Sequence, residues 1–212
     1  MKKQILNMLL TLCMLFTLLP ATALADGPDV SYTTFESFKA ALESGTAVNL
    51  SDCSFEWPET DESITLNGKL TLDVSEDDTM AAKWEIPSNI TLIYPDSSQK
   101  LLSNLAVTLT IKGTIQNSST STDYTRILPE SESQSTVIIA NGGHVEGNFY
   151  IGDHTTLTVQ EGGTVDGDVY LGGTLTGDGN IHGTVVVNNT YGSWGGEDWT
   201  AHLSGNLTLG GL

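Results

Sequence analysis

From residue 47 onward, apolar and polar positions alternate with a period of two. The runs are AVNL (47–50), SITLNGKLTLDV (63–74), NITLIY (89–94), AVTLTIKGTIQ (106–116) and STVIIA (135–140), and the pattern continues to the C-terminus. They are rich in Val, Ile, Leu and Thr and are punctuated by Gly, Asn and Asp, as expected of short, half-buried strands closed by turns. No helical period lies between them, which excludes alternating βαβ units and predicts an all-β fold. A 3.6-residue period occurs only near the start, where Phe35, Phe38 and Leu42 fall at i, i+3 and i+7 and predict a helix over roughly 34–44. Thr33 followed by Glu36 reads as a capping box, and Gly45 supplies the stop. A helix with a single oily stripe is suited to lie over the end of something larger.

The strand pattern also repeats. GGHVEGNFYIG occupies 142–152 and GGTVDGDVYLG occupies 162–172. Extending the alignment through TLTGDGNIHGTVVVN (174–188) puts apolar residues into common slots: Val137/Leu157/Leu175, Val145/Val165/Ile181, Phe149/Val169/Val185 and Ile151/Leu171/Val187. The third copy is shorter, because the DHT between Gly152 and Thr156 shrinks to Gly173 and two further residues are lost before Ile181. Both losses fall at predicted turns, which is how a solenoid varies. Each copy holds three short strand segments separated by glycine-rich corners, so the expected architecture is a single-domain, three-sided parallel β-helix with an N-terminal capping helix. Its divisions are 1–25, a segment and helix over 26–46, and the coil over 47–212. Such a coil has two open strand edges. The helix covers the first, and Tyr191, Trp194 and Trp199 are candidates to cover the second, failing which end-to-end self-association is expected.

The first 25 residues change the setting. Lys2 and Lys3 precede a mostly apolar run from Ile5 to Leu19, then Pro20 and Ala23-Leu24-Ala25. This is the order of parts in a secretory signal peptide, cleaved after Ala25, and predicts a secreted or cell-surface product with no membrane span after cleavage. Cleavage leaves 6 basic residues against 26 acidic ones, a net charge of −20. So acidic a surface repels phosphate backbones and anionic headgroups, excluding nucleic acid and lipid, and leaves cations and neutral polymers as partners. Cys13 departs with the signal, so Cys53 cannot form an internal disulfide and is expected as a small inward-facing core residue.

The signal ending LLPATALA, the helix FESFKAALESG and the alternating strands together resemble the pectin-lyase-like right-handed parallel β-helix superfamily, particularly exported surface proteins of Firmicutes. The resemblance covers nearly the whole chain and implies a right-handed coil. It does not imply one activity, since that superfamily includes lyases, hydrolases and adhesins. The GxVxG rungs also resemble bactofilin filaments, which lack a signal peptide and a capping helix.

Candidate chemistry starts from the repeat. Glu146 and Asp166 share a slot on successive copies, and Asn148 and Asp168 share another, so two carboxylates fall about 5 Å apart. That spacing suits a ligand site at Glu146, Asp166 and Asp168, either a calcium site or a retaining glycosidase pair, although Asp166-Gly167-Asp168 at a corner also suits a solvated turn. The resemblance to lyases implies a basic proton acceptor aided by calcium. Arg126, in the polar excursion 117–135 with Asp123 and Tyr124 close before it, is the residue placed for that role. His144, His154, His182 and His202 show no metal-ligand spacing. Threonine pairs recur at Thr108/Thr110, Thr156/Thr158 and Thr174/Thr176, but ice binding would need an uninterrupted ladder, and copies scattered along a sequence do not establish one. Trp57, Trp84, Trp194 and Trp199 suit core or cap packing, or stacking on sugar rings where two share a face. The leading expectation is a secreted, non-catalytic, adhesin-like or glycan-binding module needing no cofactor. The alternative is a calcium-assisted polysaccharide lyase or glycoside hydrolase.

Overall fold

The computed structural model describes residues 31–72, 82–98, 100–102, 106–118, 125–126, 134–152, 154–187, 202–203, 205 and 208–209. All belong to the unit Ser31–Leu212. The expected signal segment 1–25 lies outside them, as do Asp123, Tyr124, Tyr191, Trp194 and Trp199.

The alternating runs form strands, and among the described residues every strand pairing is parallel. A six-stranded sheet contains β4 (Ala82–Ile86), β7 (Val107–Ile111), β10 (Ser135–Ile139), β13 (Thr155–Val159), β16 (Thr174–Gly177) and β19 (His202–Leu203). A seven-stranded sheet contains β2 (Glu62–Thr65), β5 (Ile90–Tyr94), β8 (Thr114–Asn117), β11 (His144–Glu146), β14 (Thr164–Asp166), β17 (Asn180–Ile181) and β20 (Thr208–Leu209). The rest form a three-stranded sheet of β1 (Val48–Asn49), β3 (Leu70–Thr71) and β6 (Leu101–Leu102), and a four-stranded one of β9 (Thr125–Arg126), β12 (Phe149–Ile151), β15 (Val169–Leu171) and β18 (Val185–Val187). Apart from β1 with β3, each pairing joins strands three elements apart, so the chain visits the sheets in rotation and returns to each one layer on.

The four aligned apolar slots occur in register: Val137↔Leu157↔Leu175, Val145↔Val165↔Ile181, Phe149↔Val169↔Val185 and Ile151↔Leu171↔Val187. Their side chains are buried, except in the last layer, where Val185 is half-buried and Val187 is 57% exposed. Each buried aliphatic side chain contributes about 1.5–3 kcal/mol, so the stacked columns supply most of the driving force.

Two runs read as continuous are broken by glycine. SITLNGKLTLDV divides into β2 and β3, and AVTLTIKGTIQ divides into β7 and β8. At the second break a Cβ on Gly113 would lie 2.2 Å from the carbonyl oxygens of Pro87 and Ile90, so only glycine lets the layers close at that corner. The same corner one layer on is Gly143, whose carbonyl accepts from Thr164 N–H at 3.0 Å while Gly113 does the same for His144 at 2.9 Å. The excursion 117–135 also contributes a strand, since β9 lies within it and pairs with β12.

Helix α1 (Phe35–Glu43) buries Phe35, Phe38 and Leu42 and packs on β1 and β2, which are edge strands of their sheets. Its cap is Thr34, one residue later than expected, which puts Ser37 in place of Glu36 at the third helical position. Thr34 Oγ1 accepts from Ser37 N–H at 3.2 Å, and the Ser37 hydroxyl donates to the Thr34 carbonyl at 2.8 Å. The reason is tertiary: Tyr32 bridges Cys53 and holds the chain extended before the cap, so the helix starts only at Phe35. Gly45, at φ +91°, ends it as expected, and Thr46 N–H turns back onto the Ala41 carbonyl at 2.9 Å. Lys39 pairs with Glu62 on β2 at 2.8 Å. Beneath the helix, Phe35, Phe38, Phe55, Trp57 and Trp84 form one aromatic cluster, with ring centroids 4.8 Å apart for Phe38 and Phe55 and 6.4 Å for Trp57 and Trp84. Cys53 packs against this core but is only half-buried, and burial followed by neighbouring Asp52 pushes its thiol up to about 11, leaving it protonated and unreactive at neutral pH.

Truncating a column residue should therefore cost far more than truncating its outward neighbour. Leu157→Ala is expected to lose about 2–5 kcal/mol in urea unfolding. Thr158→Ala should stay within about 0.5 kcal/mol of the parent chain. Equal losses would contradict the assignment of inward and outward faces.

Candidate functional site

Of the three acidic residues singled out in the sequence, Glu146 and Asp166 lie side by side in the seven-stranded sheet, and Asp168 lies just past the end of β14 with partners of its own. Glu146 and Asp166 are register partners on β11 and β14. His182 follows Ile181, the partner of Val165, and so stands in the slot beyond Asp166. Its Nδ1 lies 2.5 Å from Asp166 Oδ1. His144 reaches across from the opposite layer and puts Nε2 2.9 Å from Asp166 Oδ2, a close contact without the alignment of a hydrogen bond. The His182 hydrogen bond, with His144 adding to it electrostatically, holds the Asp166 carboxyl below the usual carboxylate range. An ionised carboxylate only accepts, so Nδ1 of His182 is the donor.

Asp168 is engaged as well. Its Oδ1 accepts from Thr184 N–H at 2.8 Å, and its own N–H donates to Asn148 Oδ1 at 2.8 Å. Asn148, Asp168 and Thr184 thus lace three successive layers through side-chain oxygens that catch the backbone of the next. Glu146 is half-buried and forms no ion pair or hydrogen bond within the described residues. The arrangement ties layers together more than it opens a site. Both oxygens of this exposed carboxylate are faced by imidazoles, and among the described residues no three His, Cys, Asp or Glu side chains are arranged to hold a metal ion. Arg126 falls on β9, paired with Tyr150 of β12.

A second feature escaped the sequence pattern. A groove of about 610 Å³ lies where the first turn of α1 meets the segment before Pro58. Thr33, Thr34, Glu36, Ser54 and Glu56 line it with exposed hydroxyls and carboxylates, and Phe55 supplies the rim of a partly buried ring. The Tyr32–Cys53 bridge joins these two segments, which lie some twenty residues apart in the chain. The one local signal was SFEWP (54–58), where aromatic residues alternate with Ser54 and Glu56. Hydroxyls, two acceptor-only carboxylates and an aromatic ring suit a neutral polyhydroxylated ligand.

Among the described residues no helix is long and apolar enough to cross a membrane. Comparison with known proteins finds no matching family model, no matching curated protein and no matching solved structure.

The Asp166 cluster makes a pH-dependent contribution whose sign follows from the direction of the shift. The folded value lies below the unfolded one, so the stability is fully present above the unfolded carboxylate range and is lost as pH falls through the folded value. Asp166→Asn is expected to lower the melting temperature at pH 7. The gap to the parent chain should close as pH is taken well below about 3.9. A gap of unchanged size at pH 2 would rule out this ion-pair role.

Proposed function

We propose that the chain is an exported, non-catalytic glycan-binding module built on a right-handed, three-sided parallel β-helix of the pectin-lyase-like kind. The rotation of the chain through parallel sheets in register supports the coil. The observation that carries the binding reading is the groove at the start of α1, which combines hydroxyls, the carboxylates of Glu36 and Glu56 and the ring of Phe55. Such a lining takes a sugar by seating its apolar face on the ring and donating its hydroxyls to the carboxylates. The surplus of acidic residues favours a neutral glycan over an anionic one. A surface role follows from the leader-like segment, in which two lysines, an apolar run and Ala23-Leu24-Ala25 appear in order.

The test is binding of the purified chain to a panel of neutral and acidic polysaccharides, with product release followed in parallel. A neutral glycan should be retained without being cleaved. Phe55→Ala or Glu56→Gln should each weaken retention by about tenfold, since one ring contact or one charged hydrogen bond is worth about 1–1.5 kcal/mol. Release of unsaturated or reducing ends, or retention unchanged in both variants, would overturn the reading.

A further inference from the structure

The six-stranded sheet carries a feature that the separate threonine pairs in the sequence conceal. On its outward side, strands β7, β10, β13 and β16 align Thr108↔Thr136↔Thr156↔Thr174 in one column and Thr110↔Ile138↔Thr158↔Thr176 in the next. Seven of these eight positions are threonine, all eight are partly exposed, and none is charged. The column Thr108, Thr136, Thr156 and Thr174 is thus an uninterrupted threonine ladder, and the column beside it is broken once, by Ile138.

Three properties define what such a surface can hold. It is a two-dimensional lattice, with a repeat of about 4.8 Å across the strands and about 6.7 Å along them. It is stiff, because threonine has few χ1 options and the intervening Leu109, Val137, Leu157 and Leu175 are at most 1% exposed. It is also free of charge in a chain with 26 acidic residues, and it is bounded on β4 by exposed Lys83 and by Glu85, which pairs with Lys112 at 2.9 Å. Without charge it lacks the cations that hold phosphate or carboxylate strongly and the carboxylates that hold a metal. Without an aromatic ring it gives a sugar no stacking platform. What remains is a regular array of hydroxyls that hydrogen-bond water and methyls that shelter between them, with spacings of the order of the oxygen repeats on an ice surface. One hydroxyl contributes only about 1 kcal/mol, so a useful interaction needs many engaged at once, and a crystalline lattice alone presents matching partners at every position.

We propose that this threonine face binds ice. The proposal is independent of the groove at α1. It is tested by following ice recrystallisation in a frozen solution of the full chain against serum albumin at equal concentration. The parent chain slows the growth of ice grains and albumin does not. Thr156→Tyr, which plants a bulky ring in the middle of the lattice, and Thr136→Lys, which plants a charge there, lose the effect while keeping the parent's circular dichroism and melting temperature. Glu59→Gln, at an exposed position outside this sheet, retains it. Grain growth in the parent chain equal to that in albumin overturns the proposal, as does full activity in either natively folded threonine variant.

Discussion

Main-chain hydrogen bonding between successive layers governs every other feature of this chain. A residue on one strand stands directly over its partner on the strand three elements before it, and the parallel register leaves no freedom to slide. Sliding by one position would send each aliphatic column outward and each threonine inward. The same bonding makes the columns mutually dependent. Val165 has Val145 on one side and Ile181 on the other, so the quality of packing at one layer is set by the two beside it.

Polar chemistry is sorted by the same geometry. Charged and amide groups gather at corners, where Asn148, Asp168 and Thr184 link backbone to side chain and where His144 and His182 flank Asp166. Between corners, the outward side of β7, β10, β13 and β16 carries hydroxyls and methyls instead. In so acidic a chain this sorting has an electrostatic rationale: carboxylates stacked at the 4.8 Å interval of a parallel sheet repel, and only a corner gives them an imidazole or a backbone N–H to face. In the succession from Glu146 to Asp166 to His182 the third layer supplies a donor to the carboxylate of the second.

How much of this was legible depended on whether the information was periodic. The alignment of 136–152 with 156–172 and 174–188 gave all four apolar columns, since each slot recurs at a nearly constant interval, and it put His182 beyond Asp166. The helix was legible from Phe35, Phe38 and Leu42, but its cap was not, because Thr33 and Thr34 are equally able caps and the choice lies with Tyr32 and its bridge to Cys53. His144 escaped notice as a neighbour of Asp166 because the contact is diagonal and falls outside any slot comparison. The groove at Phe55 and Glu56 depends on two segments that meet once and repeat nowhere. The threonine ladder was half visible: its residues could be named, but Thr110 and Thr158 are neighbours of Ile138 only once the register of β7, β10 and β13 is known.

The repeat bears on how such a chain changes in length. Helix α1 packs on the edge strands β1 and β2, and the layers that follow pair in register. Every interior circuit meets the same kind of neighbour above and below. Duplicating or deleting one whole circuit of about 20 residues, such as that from Val137 to Thr156, presents the adjoining circuits with an equivalent surface and leaves both termini undisturbed. Length in this architecture is therefore quantised, and lineages of such chains would drift by steps of a full turn, with fractional steps confined to the loops.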